Sequence, residues 1–110
     1  GVPHGLANAV ILPYVMEADL DVSRDNFAAL CDLLRLCDID SSQKEKAETF
    51  VNSVFKLNKL LNIPQRLEKF PSWAIPEIRQ AAFKECHGTY PVPKYFTAAQ
   101  ADELLGKVSV

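Results

Sequence analysis

Between Ser42 and Pro64 the apolar residues recur every three or four positions: Ala47, Phe50, Val51, Val54, Leu57 and Leu61. That spacing draws one stripe along a helix of about 3.6 residues per turn and cannot be met by the alternation of a strand. Both ends are punctuated. Ser42 followed by Glu45 forms a capping-box pattern, in which each side chain satisfies an amide at the helix start. Pro64 disfavours helical geometry at Ile63 and stops the helix near Asn62. A chain committed to a helix this long must bury the stripe against other elements, and the remaining sequence offers only helices to do it.

Gly5 to about Ala18 has helical spacing, with His4, Asn8, Ile11 and Val15 along one face. Pro13 lies inside that span, removes a backbone donor and should kink or tighten its second half. Ser23 is the expected N-cap of a second helix, Arg24 to about Cys37, with Phe27, Leu30, Cys31 and Leu34 as its buried stripe. Asp38 to Ser41 reads as a turn. Beyond Pro64, a short helical turn around Gln65 to Lys69 is expected, and Pro71 and Pro76 bracket an irregular stretch that holds Trp73 as a core plug. Pro76 suits the first turn of a helix running to about Cys86, and Gly88 is placed to end it. Thr89 to Phe96 carries Pro91 and Pro93 and should be extended, with Tyr90, Tyr95 and Phe96 packing on or covering the last helix. Thr97 with Gln100 repeats the capping box and opens that helix, which runs to about Lys107. The expected fold is all-α: a single domain over residues 1–110 with five main helices, or six if the short turn is counted.

Composition narrows the function. With 110 residues, 48% of them hydrophobic, the chain can build one core but leaves little room for a self-contained cofactor enzyme. Its net charge of −2 lacks the basic footprint of a nucleic-acid binder. Lys56, Lys59, Arg66 and Lys69 form a mildly basic area without interleaved aromatics for base stacking. The run Lys44, Glu45, Lys46 and Glu48 reads as a solvated helical face. The longest apolar stretch, Leu6 to Met16, is broken by Asn8 and Pro13 and falls well short of the roughly 20 residues that span a bilayer. Cys31, Cys37 and Cys86 form no CxxC pair, and Cys31 and Cys37 on one helix would stand too far apart to bridge. A reducing, cytoplasmic setting is therefore expected.

Chemistry-bearing side chains are few. The two histidines, His4 and His87, make a poor metal site alone, since a catalytic metal takes at least three protein ligands. His4 stands at the mouth of the first helix, where the dipole and unpaired amides disfavour a positive charge and bias imidazole toward the neutral form that metals require. The neighbours Cys86 and His87 do not read as a catalytic pair, because adjacent side chains on a helix diverge by about 100°.

The run Pro3-His4-Gly5-Leu6-Ala7-Asn8-Ala9-Val10-Ile11-Leu12-Pro13-Tyr14-Val15 resembles a signature segment of the iron-containing (group III) alcohol dehydrogenases. Ile63-Pro64-Gln65-Arg66-Leu67 is similar to that family's Ile-Pro-x-x-Leu after a long helix, and the region from Ala81 to Leu105 resembles its closing helices. The resemblance implies that His4 is the last of four metal ligands, the others being an aspartate and two upstream histidines; Asn8, one turn along the same face, either reaches a partner behind the ligands or makes an ordinary polar contact of the helix. It implies that Cys86 or His87 lines the substrate pocket, although Thr89 to Lys94 departs from the family's shorter Asn-Pro-Arg loop. The implied cofactors are Fe2+, or another divalent metal, and NAD(P). The implied partners are an N-terminal nucleotide-binding domain, a small alcohol or aldehyde, and further copies of the enzyme in a homo-oligomer.

No glycine-rich phosphate loop and none of the other three ligands occurs in the sequence. The chain therefore reads as a C-terminal fragment of a longer enzyme, inactive by itself and binding neither cofactor alone. Two other readings stay open: a stand-alone helical interaction module, and a piece of a related polyol or dehydroquinate-type metalloenzyme.

Overall fold

In the computed structural model, residues 4–68, 70–88 and 92–109 are described, with the side chains of residues 4 and 85–88 outside that description. Five α-helices follow one another: α1 (His4–Ala18), α2 (Leu20–Leu34), α3 (Gln43–Leu60), α4 (Ile75–Gly88) and α5 (Ala98–Val108), with a 3-10 turn at Ser72–Ala74. No strand occurs among the described residues. The all-α expectation holds.

Two of the three capping signals act where the sequence placed them, the one at Ser42 through the serine half of its box. Ser42 Oγ accepts from the Glu45 amide at 3.1 Å. Thr97 and Gln100 close both halves of their box, at 3.2 and 2.9 Å. At the end of α3, Asn62 turns left-handed, with φ of 58°. The Ile63 amide then reaches back to the Asn58 carbonyl at 2.9 Å, the six-to-one bond of a Schellman motif. Asparagine tolerates that backbone better than most residues.

The second helix departs from expectation at both ends. It starts at Leu20, so that one residue, Asp19, separates it from α1, and Ser23 is a buried residue inside it. Asp and Ser cap equally well in isolation; here the Asp19 carbonyl accepts from the Val22 and Ser23 amides at 3.1 and 2.9 Å and starts the helix earlier. The helix stops at Leu34, where Arg35 takes a left-handed φ of 54°. Cys37 therefore lies beyond the helix and not on it. Cys31 and Cys37 are both free thiols, and burial, together with a hydrogen bond of the protonated Cys31 thiol to the Cys37 side chain, pushes the Cys31 thiol up.

α2 and α3 pair as a hairpin whose seam is built from small residues: Ser23, Ala28 and Cys31 face Ala47 and Val51. Such a seam lets the backbones approach closely, so the large leucines flank it instead of filling it. Leu30, Leu34, Leu57 and Leu61, expected in the buried stripes, are exposed for that reason. Phe27 and Phe50 stack across the pair with centroids 5.8 Å apart. Lys46, expected on a solvated face, is only 4% exposed. Its ammonium lies 2.8 Å from Asp32 Oδ1 and donates to Asp32 Oδ2 at 3.1 Å and to the Ile39 carbonyl at 2.7 Å. These partners replace the water it loses.

The main core lies on the other side of α1, where Val10 meets Leu67, Phe70, Leu104, Leu105 and Val108. Burial of each such side chain contributes about 1.5–3 kcal/mol. Residues 65–68 form no helical turn. Instead, the Leu67 amide donates to the Val108 carbonyl at 2.8 Å and Arg66 Nη1 to the Ser109 carbonyl at 2.8 Å. Those long-range bonds compete with a local turn and tie the segment to the end of α5. Trp73 is 79% exposed and plugs nothing, because the 3-10 turn points it away from the core. Phe96 packs against the core, Tyr95 is exposed, and Tyr90 lies outside the described residues.

Candidate functional site

α1 carries the signature residues, and its composition is unusual for a helix at a surface. Apolar residues surround it on nearly every side, with no acidic residue in its first turn and no basic residue in its last. Such a helix belongs inside a protein. Here Val10 and Pro13 are buried, whereas Gly5, Asn8 and Leu12 are exposed, Leu12 to 51%. These three share a face at i, i+3 and i+7.

The helix runs unbroken through Pro13, and a distant side chain explains how. Proline has no amide hydrogen, and its ring crowds the carbonyl four residues back. That carbonyl belongs to Ala9. Asn58 Nδ2, from α3, donates to it at 2.8 Å and so supplies the bond that Pro13 cannot. Tyr14 adds an edge-on contact to Phe55, with centroids 5.1 Å apart, and donates from its hydroxyl to the Gln65 carbonyl at 3.3 Å. α1 is thus fixed to α3 over its central turns, and its first turn is held in place from there.

His4 is the first residue of α1, so the backbone sets it where the helix amides are unpaired, as the sequence reading required. Its side chain is outside the described residues. Asn8 lies one turn further on and is exposed. A β-carbon added at Gly5 would meet nothing within 4 Å, so nothing described in this chain demands a glycine there. Cys86 and His87 fall in the last turn of α4, which extends to Gly88 and so slightly past the expected end; their side chains too are outside the described residues. Among the described residues no group of three or more His, Cys, Asp or Glu could hold a metal ion. A single imidazole is far short of a catalytic coordination shell.

Sequence reasoning overlooked Asn58. A proline inside a helix always leaves one carbonyl open, so the search for an amide donor elsewhere in the chain was the available signal. It also overlooked Asp19, which is 6% exposed and whose carboxyl burial pushes above its ordinary range despite the nearby Lys94. Lys94 donates to Asp21 at 2.7 Å, and that bond holds the exposed Asp21 carboxyl below its ordinary range.

A chain with this helical order and this signature segment belongs to the Fe-containing alcohol dehydrogenase family, whose C-terminal domain matches residues 1–108. Its relatives are dehydrogenases and reductases of small alcohols and aldehydes by name. The lactaldehyde reductase of Escherichia coli K12 is 32% identical over 92 residues, which is 81% of this chain and 24% of that enzyme. Alcohol dehydrogenase 4 of Saccharomyces cerevisiae is 32% identical over 114 residues, 96% of this chain and 27% of the relative. The NADPH-dependent butanol dehydrogenase of Clostridium saccharobutylicum is 32% identical over 69 residues, 63% of this chain and 17% of the relative. Among solved structures, a 1,3-propanediol oxidoreductase superposes with a TM-score of 0.85 at 25% identity, over 96% of this chain and 28% of the other. The chain thus spans between 17% and 28% of the length of these relatives. No helix among the described residues is long and apolar enough to cross a membrane.

Proposed function

We propose that this chain supplies the helical, C-terminal part of a metal-dependent, NAD(P)-linked alcohol dehydrogenase and contributes His4 as one of four metal ligands. The observation that carries the reading is that the family's histidine opens α1, a helix with no polar face whose exposed side begins at Gly5 and Asn8. An interaction module would place polar residues around His4. The residues that follow it in the first turn are Gly5, Leu6 and Ala7 instead.

In the complete enzyme the rest of the protein supplies the other three ligands, and an N-terminal nucleotide-binding domain supplies the nicotinamide site. A divalent metal held there supplies Lewis acidity toward an alcohol oxygen and favours hydride transfer. This chain's share is positional. The neutral imidazole of His4 offers a lone pair, and α1, locked to α3 by Asn58, fixes the direction of that lone pair. Asn8, one turn along, orients the ligand, and Cys86 and His87 line the cleft that takes a small alcohol or aldehyde. The domain is residues 1–110, the enzyme is a cytoplasmic homo-oligomer, and the chain alone is inactive and holds neither cofactor.

The test is His4→Ala in the complete enzyme, with metal content and alcohol oxidation measured together. Both should collapse, whereas Asn8→Ala should weaken metal affinity by about 10–100-fold, as for a group that orients a ligand. Full metal content in the His4→Ala enzyme, or alcohol-dependent nicotinamide reduction by the purified 110-residue chain alone, would overturn the proposal.

A further inference from the structure

At the end of α2 the chain turns back on the helix it has just left. Arg35 takes its left-handed φ of 54°, a conformation uncommon for a residue other than glycine or asparagine. The turn lets the Leu36 amide donate to the Cys31 carbonyl and the Arg35 amide to the Asp32 carbonyl, each at 3.1 Å. Leu36 is thereby held over the turn of α2 that carries Cys31, and the next residue is Cys37. Along a continuous helix two residues six apart are separated by about 9 Å. The reversal removes that separation, and the Cys31 thiol meets the Cys37 side chain in a hydrogen bond. Lys46 pins the other side of the segment, with its ammonium on Asp32 and on the Ile39 carbonyl. Cys37 is thus held between two fixed points, beside a second free thiol.

The two sulfurs differ in what can reach them. Cys31 is wholly buried in the seam between α2 and α3, where burial keeps its thiol protonated. Cys37 is only half-buried. A dissolved oxidant meets Cys37 first, and the side chain best placed to answer is Cys31. An accessible thiol backed by a resolving one is the arrangement that turns oxidation into a reversible disulfide.

We propose that Cys31 and Cys37 form a redox site, a dithiol that a peroxide converts to an intrachain disulfide at the exit of α2. The Cys37 thiolate attacks one peroxide oxygen and the O–O bond breaks. Cys37 becomes a sulfenic acid, and the departing hydroxide takes up the thiol's proton as water. The Cys31 sulfur then attacks the Cys37 sulfur, the S–O bond breaks, and the Cys31 proton leaves with that oxygen as a second water. The pair loses two electrons and the peroxide is reduced to two waters. A dithiol reductant reverses the change by exchange. The site does not depend on the reading of His4, and its failure would leave that reading untouched.

The test treats the reduced 110-residue chain with a small molar excess of hydrogen peroxide, blocks the remaining thiols with N-ethylmaleimide, and maps tryptic peptides by mass spectrometry. Cleavage after Arg24, Arg35 and Lys44 puts Cys31 and Cys37 on separate peptides, residues 25–35 and 36–44, and Cys86 on a third. The first two should appear joined, with the loss of two hydrogens, in a chain that stays monomeric, and dithiothreitol should part them. Cys31→Ala, which suits a seam already built from Ala28 and Ala47, should stop the reaction at a Cys37 sulfenic acid that dimedone traps. Cys37→Ser should leave Cys31 a thiol. A link to Cys86 or between chains, Cys37 driven to sulfinic acid beside an intact Cys31 thiol in the native chain, Cys31 oxidised in the Cys37→Ser chain, or two peptides that stay apart would each overturn the site.

Discussion

Asn58→Ala, made in the native chain and again in a Pro13→Ala background, tests whether a side chain on α3 completes the hydrogen bonding of α1. In the native chain the substitution leaves the Ala9 carbonyl without the donor now 2.8 Å away. An unsatisfied buried acceptor costs about 1–3 kcal/mol. The bond is only partly buried, so water recovers some of the loss and about 1–2 kcal/mol is expected. For a domain of this size that lowers the melting temperature by about 4–8 °C. In the Pro13→Ala background the residue at that position again has an amide hydrogen to offer Ala9, and Asn58 becomes dispensable. The same Asn58→Ala change should then cost about 0.5 kcal/mol or less, giving a coupling of about 1 kcal/mol. Pro13→Ala itself has opposing effects, a gain in helix propensity and a loss of buried ring, so only the coupling is diagnostic. Urea unfolding of the four proteins, read by circular dichroism, gives the number. If Asn58→Ala costs the same in both backgrounds, within about 0.3 kcal/mol, Asn58 does not stand in for the missing amide.

Two further outcomes follow from buried charge. Asp32→Ala should destabilise the chain more than Lys46→Met in urea unfolding, by about 1–2 kcal/mol, because it strands an ammonium that is 5% exposed, whereas the lysine change leaves a carboxylate that is 33% exposed to water. The reverse order would mean that the Ile39 carbonyl alone satisfies Lys46. Asp19 has a carboxyl pushed above its ordinary value of 3.8, so the folded state holds its proton more tightly than the unfolded chain. Its penalty is absent below pH 3.8 and grows as pH rises through the folded-state value. Asp19→Asn should therefore raise the melting temperature at pH 7, with the gain shrinking to nothing as pH falls toward 3.8; a gain independent of pH would refute a burial origin.

The parts of the fold legible in the sequence are those decided within one or two turns. Ser42, Thr97 and Gln100 cap their helices because the partners lie three residues away, and α3 ends locally too, at the left-handed Asn62 two residues before Pro64. Tertiary contacts decided the rest. The left-handed Arg35 has no glycine or asparagine to announce it, and its position is fixed by the Leu36 amide reaching the Cys31 carbonyl at 3.1 Å. Lys46 looked like its charged neighbours because only the approach of Asp32, fourteen residues earlier, distinguishes it. Ile11 and Val15 were rightly set on one face, but that face leads to an apolar cavity among α1, α4 and α5 rather than only to the core. The candidate site was legible as residue types, His4 with Gly5 and Asn8 on one helix, and not as an assembly, since one imidazole cannot reveal where three other ligands lie.

The bond from Leu67 to Val108 also sets an order of events during synthesis. α2 and α3 are neighbours in sequence and need only the short link between them, so their hairpin can close while later residues are still being added. Val10 emerges early but meets Leu104, Leu105 and Val108 only when nearly all of this segment has been made. Until then α1 is covered only where it meets α3, and the face that carries Val10 lacks its partners from α5. A nascent chain of this kind offers chaperones one obvious handle, and any pause in translation ahead of α5 lengthens the time it is exposed.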